Sequence, residues 1–299
     1  MATGGSCLGV CYAENQLYYS VNSPGQGGQL SHIGCIDFNF EIEQTIIKPE
    51  SAGFPALKKS LENLQQAFNC SFVKMLTPSH EECWAIVPKA VYEDASEREA
   101  HIQLLMKGSD RSEIQAIWYP VSKNDRRLLL LRDNKSMKGF NSLLRSFTQT
   151  EHITDFELGV DWQLHTKNNG AFLMIHCRRN YLSVSSFVLG KLRGCTYIEY
   201  DHITDLPYLW SLYAENLSWL TGLHDYTYLF GPLCSHVEEI LNPFWSDYGE
   251  IISLSTLDKM GVSAPEKTYG FALESAFPAI LMSLNTDIET PMIHENYNR

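Results

Sequence analysis

His80 and Cys83 stand three residues apart, with Glu81 and Glu82 between them. That spacing suits a pair of metal ligands or a His–Cys nucleophile couple. The stretch also follows Pro78 and precedes a strand-like run, which fits an exposed loop equally well. His32 and Cys35 form a second cluster with Cys7 and Cys11 near the N-terminal strands. A zinc site there would need four ligands converging on a tetrahedron. The chain has no Cys-x-x-Cys pair, and Cys7 and Cys11, four apart on a strand, share a face but lie too far apart for one ion. Buried thiols and no metal are the expectation. Glu93, Asp94, Glu97 and Glu99 around Arg98 could do acid–base work. A solvated acidic helix face, with the acids in the first turns favoured by the helix dipole, explains them more simply. A Gly-x-Ser-x-Gly elbow, a Walker loop, a His-Glu-x-x-His pair and a Gly-x-Gly-x-x-Gly fingerprint are all absent. No residue is assigned as catalytic.

One long stretch has a chemistry of its own. From Gly194 to Asp258 there is no Lys or Arg, while acids such as Glu199, Asp201, Asp205, Glu238 and Glu239 recur. Aromatic residues accompany them. Trp210, Trp219, Trp245 and Tyr248 are the candidate partner surface, because aromatic anchors beside acids suit a protein partner with a basic segment. The net charge of −12 and pI of about 5.3 point the same way. They argue against nucleic acid and against anionic lipid as partners, since both require a basic face. Oligomeric state is not encoded in any pattern of the chain.

With 299 residues, 44% hydrophobic and 19% charged, the composition is globular and long enough for two domains of about 150 residues. No stretch approaches the roughly 20 apolar residues of a membrane span. Met1–Ser6 has neither a basic region nor an apolar one, so no signal peptide is expected. The eight cysteines are scattered, which reads as reduced thiols in a cytoplasmic protein.

The elements that position these residues follow a repeated order. Cys7–Tyr12, Gln16–Val21 and Gln29–Phe38 read as a β-meander, with turns at Ala13–Asn15 and Ser23–Gly28. Leu57, Leu61, Leu64 and Phe68 make Phe54–Phe68 an amphipathic helix. Strands at Ser71–Leu76 and Cys83–Val87 and a helix over Tyr92–Met106 come next. Ile114–Val121 and Arg127–Arg132 form a hairpin around Ser122–Asp125. A helix over Ser136–Phe147, a strand at His152–Phe156 and a helix at Glu157–Thr166 complete the first part. A second meander runs through Ala171–Cys177, Tyr181–Val188 and Leu192–Tyr200, with a tight turn at Arg178–Asn180. Asp205–Trp219 is a helix capped by Asp205, followed by a strand at Asp225–Phe230, a helix at Cys234–Leu241 and a strand at Ile251–Leu254. Gly270–Leu284 is an apolar helix kinked at Pro278 that packs back across the cleft, and Thr286–Arg299 is a polar tail.

Element order, with the short stretches Leu8–Val21, Cys83–Pro88, Phe172–Arg193, Tyr228–Leu241 and Gly270–Leu284, resembles the actin-like ATPase superfamily. The chain looks most like PilM-type pilus assembly proteins, the cytoplasmic domain of the type II secretion L-protein and uncharacterised actin-fold Bacteroidetes proteins. The resemblance implies an α/β fold of two ribonuclease-H-like domains with mixed sheets and an interdomain cleft. The expected division is 1–154 and 155–299, the latter including the polar tail. It also implies nucleotide in the cleft, but this chain departs from the pattern there. The first phosphate turn, normally with an Asp and a Gly-Thr or Gly-Ser pair, reads Cys11-Tyr12-Ala13-Glu14-Asn15. The second, normally Asp-x-Gly-Gly-Gly-Thr, reads His176-Cys177-Arg178-Arg179-Asn180. Glycines serve there because backbone amides must approach phosphate closely, often at positive φ. The adenosine-side loop keeps Gly231 and is followed by Pro232, which has no amide donor.

Glu14, Asn15, Arg178, Arg179 and Gly231 are therefore the positions that would meet a nucleotide or another anion, and a solvated hairpin is the simpler expectation for the arginine pair. No cofactor is expected, ATP with magnesium included. The expected function is a non-catalytic scaffold that binds partner proteins in pilus or envelope assembly. Its expected place is the cytoplasm, or the inner membrane periphery through a partner. The alternative is a nucleotide-dependent regulator or enzyme with a divergent site in the cleft.

Overall fold

The structure is a computed structural model. It describes residues 6–22, 28–77, 82–106, 108, 110–120, 126–134, 137–245, 249–265 and 269–284. The first meander is β1 (Cys7–Ala13), β2 (Gln16–Asn22) and β3 (Leu30–Asp37), paired antiparallel. Short helix α1 (Ile42–Ile47), absent from the sequence reading, precedes α2 (Phe54–Phe68). The latter buries Phe54, Leu57, Leu61 and Leu64 on one face, as their spacing requires. Strand β4 (Phe72–Leu76) then pairs parallel with β1.

An inserted unit follows: β5 (Glu82–Pro88), α3 (Lys89–Glu93), α4 (Ala95–Met106), β6 (Ile114–Pro120) and β7 (Arg126–Asp133). Its strands form a separate sheet of order β5-β7-β6. The single helix expected over Tyr92–Met106 is two helices, because the Asp94 carboxylate accepts the amides of Ser96 at 2.8 Å and Glu97 at 3.1 Å. Asp94 thus caps α4 while staying exposed.

Helix α5 (Met137–Leu143) and β8 (Gln149–Ile153) return the chain to the first sheet, whose order is β3-β2-β1-β4-β8. The strand expected at His152–Phe156 ends earlier, at Ile153. Thr154 and Glu157 form a capping box that starts α6 at Asp155 and runs it to Thr166.

The second half repeats the plan. Strands β9 (Phe172–Cys177), β10 (Tyr181–Val188) and β11 (Lys191–Glu199) form an antiparallel meander. Helix α7 (Leu206–Asn216) is shorter than expected. Asp205 spends its carboxylate on the His202 amide at 3.3 Å in a 3-10 turn and makes no cap bond to α7. Strand β12 (Tyr226–Phe230), α8 (Cys234–Trp245) and β13 (Glu250–Ser253) complete a sheet of order β11-β10-β9-β12-β13, the same arrangement as the first. A short α9 (Leu257–Met260) precedes α10 (Leu273–Leu284).

Both central strands are buried on both faces, which is why they read as nearly continuous apolar runs. Leu8, Val10 and Tyr12 of β1 face α1, α2 and α5, while Cys7, Gly9 and Cys11 face α10. Close packing there depends on small residues: a Cβ on Gly9 would lie 2.0 Å from the Ala279 carbonyl oxygen. Leu173, Ile175 and Cys177 of β9 face α7 and α8, while Phe172 and Met174 join the core that contains residues of α6 and α10.

All eight cysteines are free; Cys35, Cys83 and Cys195 are half-buried and the others buried. No helix among the described residues is long and apolar enough to cross a membrane. The turns at 23–27 and 122–125, Ser136, His80 and the tail lie outside the described residues, so the His80–Cys83 pairing is not addressed.

Candidate functional site

The two hairpin turns meet at one cleft. The β1–β2 turn, α1, the β9–β10 turn and the start of α10 enclose a cavity of about 330 Å³. Glu14, Arg178 and Arg179 line it, with Pro232 in place of Gly231.

The first turn is bound to the chain behind it. Glu14 adopts a left-handed conformation at φ 52°, which costs a non-glycine residue about 1–2 kcal/mol. Its carbonyl accepts the Ile42 amide and that of Asn15 accepts the Phe38 amide, each at 2.8 Å. The Asn15 side chain donates to the Phe38 carbonyl at 2.9 Å. Asn15 therefore holds the turn's shape and does not line the cavity.

The second turn separates its two arginines. Arg179 is exposed, as a solvated hairpin requires, and stands 3.5 Å from the Glu14 carboxylate across the cleft. Arg178 departs from that expectation. It is 7% exposed, its guanidinium lying 5.7 Å from the Tyr12 ring centroid and 5.8 Å from that of Tyr181. Its amide donates to the Tyr181 carbonyl at 3.1 Å, and its own carbonyl accepts the Tyr200 hydroxyl.

Beneath Arg178 is Asp155, in the first turn of α6. Its carboxylate accepts His176 Nδ1–H at 2.6 Å and the Tyr181 hydroxyl at 3.4 Å, and lies 3.9 Å from Arg178 Nε. Burial alone would weaken the Arg178 charge, but Tyr181, Asp155 and Tyr12 outweigh it and keep the guanidinium protonated. Burial lowers the His176 pKa, against the pull of Asp155, so the imidazole is neutral with its proton on Nδ1. The ring stacks on Phe230 at 4.5 Å.

Gly231 has a packing role in this arrangement. At φ 103° its Cα faces the end of β9, where a Cβ would fall 2.7 Å from the Cys177 carbonyl oxygen. Its amide donates to the Glu274 carbonyl at 2.8 Å. That carbonyl is left without its helical donor by Pro278, four residues on, which has no N–H. The Gly231 amide thus supplies the donor that Pro278 cannot give to the Glu274 carbonyl.

The aromatic candidates separate in the same way. Trp210 and Trp245 are 3% and 4% exposed and meet edge to face at 5.2 Å under the second sheet, so neither ring can anchor a partner. Trp219 is half-buried and covers Gly194. Tyr248 lies outside the described residues. Among the described residues the exposed aromatic is Tyr208, 70% accessible, beside Glu199, Asp201 and Asp205 in an open groove of about 760 Å³. Helical spacing carries that distinction: Leu206 and Trp210 are four apart and point inward, and Tyr208 between them points out.

Sequence reasoning did not single out Tyr12, Glu43 and Tyr181, which line the cleft, or Asp155 buried beneath Arg178. Asp155 was hidden by its placement in a strand, and α1, which carries Glu43, was not seen at all.

No family model matches the chain, and no curated protein matches it. Solved structures do. A Bacteroides thetaiotaomicron protein with actin-like ATPase fold and unknown function has a TM-score of 0.53 at 13% identity, covering 84% of this chain and 91% of that one. The PilM–PilN type IV pilus biogenesis complex has a TM-score of 0.67 at 11% identity, covering 93% and 97%. The cytoplasmic domain of EpsL, an inner membrane component of the type II secretion system of Vibrio cholerae, scores 0.49 at 12% identity over 92% and 94%. The first two likenesses carry the conclusion, and at such identities it concerns fold. The chain has the actin-like ATPase fold, with two ribonuclease-H-like sheets facing a cleft.

Proposed function

We propose that this protein is a non-catalytic actin-like scaffold that binds a partner protein. The observation that carries this is the buried Arg178 side chain, packed between Tyr12 and Tyr181 where a phosphate-binding turn would present glycine amides. In-line hydrolysis needs a metal held near the phosphates and donors around them. Glu14, the one carboxylate in either turn, faces Arg179 instead. We take 1–154 and 155–299 as the two domains, with α10 returning to the first sheet.

The partner surface on this reading is the groove of Glu199, Asp201, Asp205 and Tyr208, which suits a basic segment. The PilM–PilN structure is, by its name, a complex of type IV pilus biogenesis, and a role in pilus or envelope assembly at the membrane periphery is carried over from that likeness.

The test is phosphate release by purified protein with magnesium or manganese, against a heat-killed control. No release is expected, and no rise in melting temperature with ATP. Turnover that disappears in Glu14→Ala would overturn the scaffold reading and promote the enzyme alternative.

A further inference from the structure

Two of the large hydrophobic side chains exposed among the described residues lie one turn apart on α7: Tyr208, 70% accessible, and Leu212, 41%. Scattered singly, such residues need no explanation; paired on one helix face beside a groove, they mark a contact surface. The inward face of α7 is spent on Leu206 and Trp210. The outward face runs Tyr208, Ser211, Leu212 and Glu215, the three-and-four spacing of a single helical stripe, and all four residues are exposed.

Carboxylates frame the apolar pair. Glu199, Asp201 and Asp205 are exposed beside Tyr208 in the groove of about 760 Å³, and Glu215 ends the stripe. Asp205 accepts the His202 amide at 3.3 Å, and among the described residues none of the four acids is held in an ion pair. No lysine or arginine lines the groove. Arg179, next to Asn180 of the groove wall, faces Glu14 at 3.5 Å. An occupant of this surface therefore brings apolar side chains to α7 and cations to its surround.

The surface also distinguishes a helix from an extended segment. A strand added here would need the free edge of β11, and part of that edge is taken, because the Cys195 carbonyl accepts the Trp84 indole N–H at 3.2 Å. A helix needs no edge. It packs ridge into groove, and an apolar pair four residues apart is what the i±4 row of a second helix meets. We infer that α7 docks an amphipathic helix of a partner protein, with its apolar stripe on Tyr208 and Leu212 and its lysines or arginines beside Glu199, Asp201, Asp205 and Glu215. The inference rests on the scaffold reading and narrows it, since that reading asks only for a basic segment.

The experiment is fluorescence anisotropy on the full chain with labelled peptides of about 18 residues, long enough to form a bound helix. The first carries leucine at i, i+3, i+4 and i+7 and lysine elsewhere. The second keeps the leucines and replaces each lysine with glutamate. The third alternates leucine and lysine strictly, the period of a strand. Only the first should bind. Tyr208→Ser and Leu212→Ser, both at exposed positions, should each weaken it about tenfold with the melting temperature unchanged. Asp201→Asn should weaken it about threefold and flatten its salt dependence. Equal binding of the alternating peptide overturns the helix and leaves the scaffold reading standing, whereas ATP turnover bears on the scaffold reading alone. Absence of binding by the first peptide overturns the proposal, as does full affinity in both folded serine variants. So does self-association of the chain that Tyr208→Ser abolishes, which would assign this face to a second copy.

Discussion

The Arg179 guanidinium stands 3.5 Å from the Glu14 carboxylate, so a single ion pair links the two hairpin turns across the cleft. Both side chains are mostly exposed, at 77% and 59%. Exposed pairs contribute about 0–1 kcal/mol and are screened by salt. Arg179→Ala should therefore change the free energy of unfolding in urea by less than about 1 kcal/mol. A larger loss would mean the pair holds the cleft shut.

The contact of β1 with α10 should be far less tolerant. A Cβ at Gly9 would meet backbone, with the Ala279 carbonyl oxygen at 2.0 Å and the Ser283 nitrogen at 2.9 Å. Overpacking of that kind typically costs about 1–3 kcal/mol and sometimes more. Gly9→Ala should lower the urea midpoint accordingly. Gly270→Ala, where a Cβ meets nothing within 4 Å, should stay within about 1 kcal/mol of the parent.

Trp84 fastens the inserted sheet to the second meander. Its indole N–H donates to the Cys195 carbonyl at 3.2 Å, and its ring meets Tyr197 edge-on at 4.7 Å and Phe156 at 5.2 Å. Trp84→Ala should cost about 3–5 kcal/mol, and Trp84→Phe much less, about 1 kcal/mol for the lost hydrogen bond plus a packing remainder. Equal losses in both variants would show that the hydrogen bond, not the ring, carries the contact.

Stability should fall from neutral to mildly alkaline pH. Burial pushes the Glu157 carboxyl up from 4.5 to about 8, with Arg132 and the Thr154 amide pulling the other way and Glu151 and Asp161 adding to the rise. Between those values the folded chain holds a proton that the unfolded chain releases, so stability drops as pH rises. Burial and Arg132 push His152 down from 6.5 to about 3, so its contribution is lost as pH falls below 6.5. The two effects oppose one another below pH 6.5, and above it only that of Glu157 remains. Urea unfolding at pH 6.5 and pH 8 should differ by roughly 2 kcal/mol through this residue. Glu157→Gln, which keeps the capping box, should remove that difference; an unchanged slope would place the effect elsewhere.

Local patterns were enough for much of the fold. The bounds of α2 are those the four-three-four spacing of Leu57, Leu61, Leu64 and Phe68 demands, and the three strands from Phe172 to Glu199 follow from apolar runs broken by Arg178–Asn180 and Gly190. The lack of glycine in both phosphate turns was equally plain, because it is a matter of composition. Where a side chain made the decisive bond, the pattern misled. Asp94 broke a helix by capping its second half, and Thr154 with Glu157 began a helix inside the strand expected at His152–Phe156.

What the sequence by itself determined is the repeated order of elements and the absence of glycine from the turns at Ala13–Asn15 and Arg178–Asn180, since both rest on neighbours along the chain. The tertiary structure alone decided which of two adjacent arginines is a surface charge. Arg178 is buried because Asp155, Tyr12 and Tyr181, brought from three separate elements, supply the countercharge and ring faces that make burying a guanidinium tolerable. Arg179 lacks those neighbours and stays in water beside Glu14. Trp210 is likewise enclosed by residues distant along the chain, Trp245 among them. Its burial, and the exposure of Tyr208 two residues earlier, is a property of the packed helix rather than of composition.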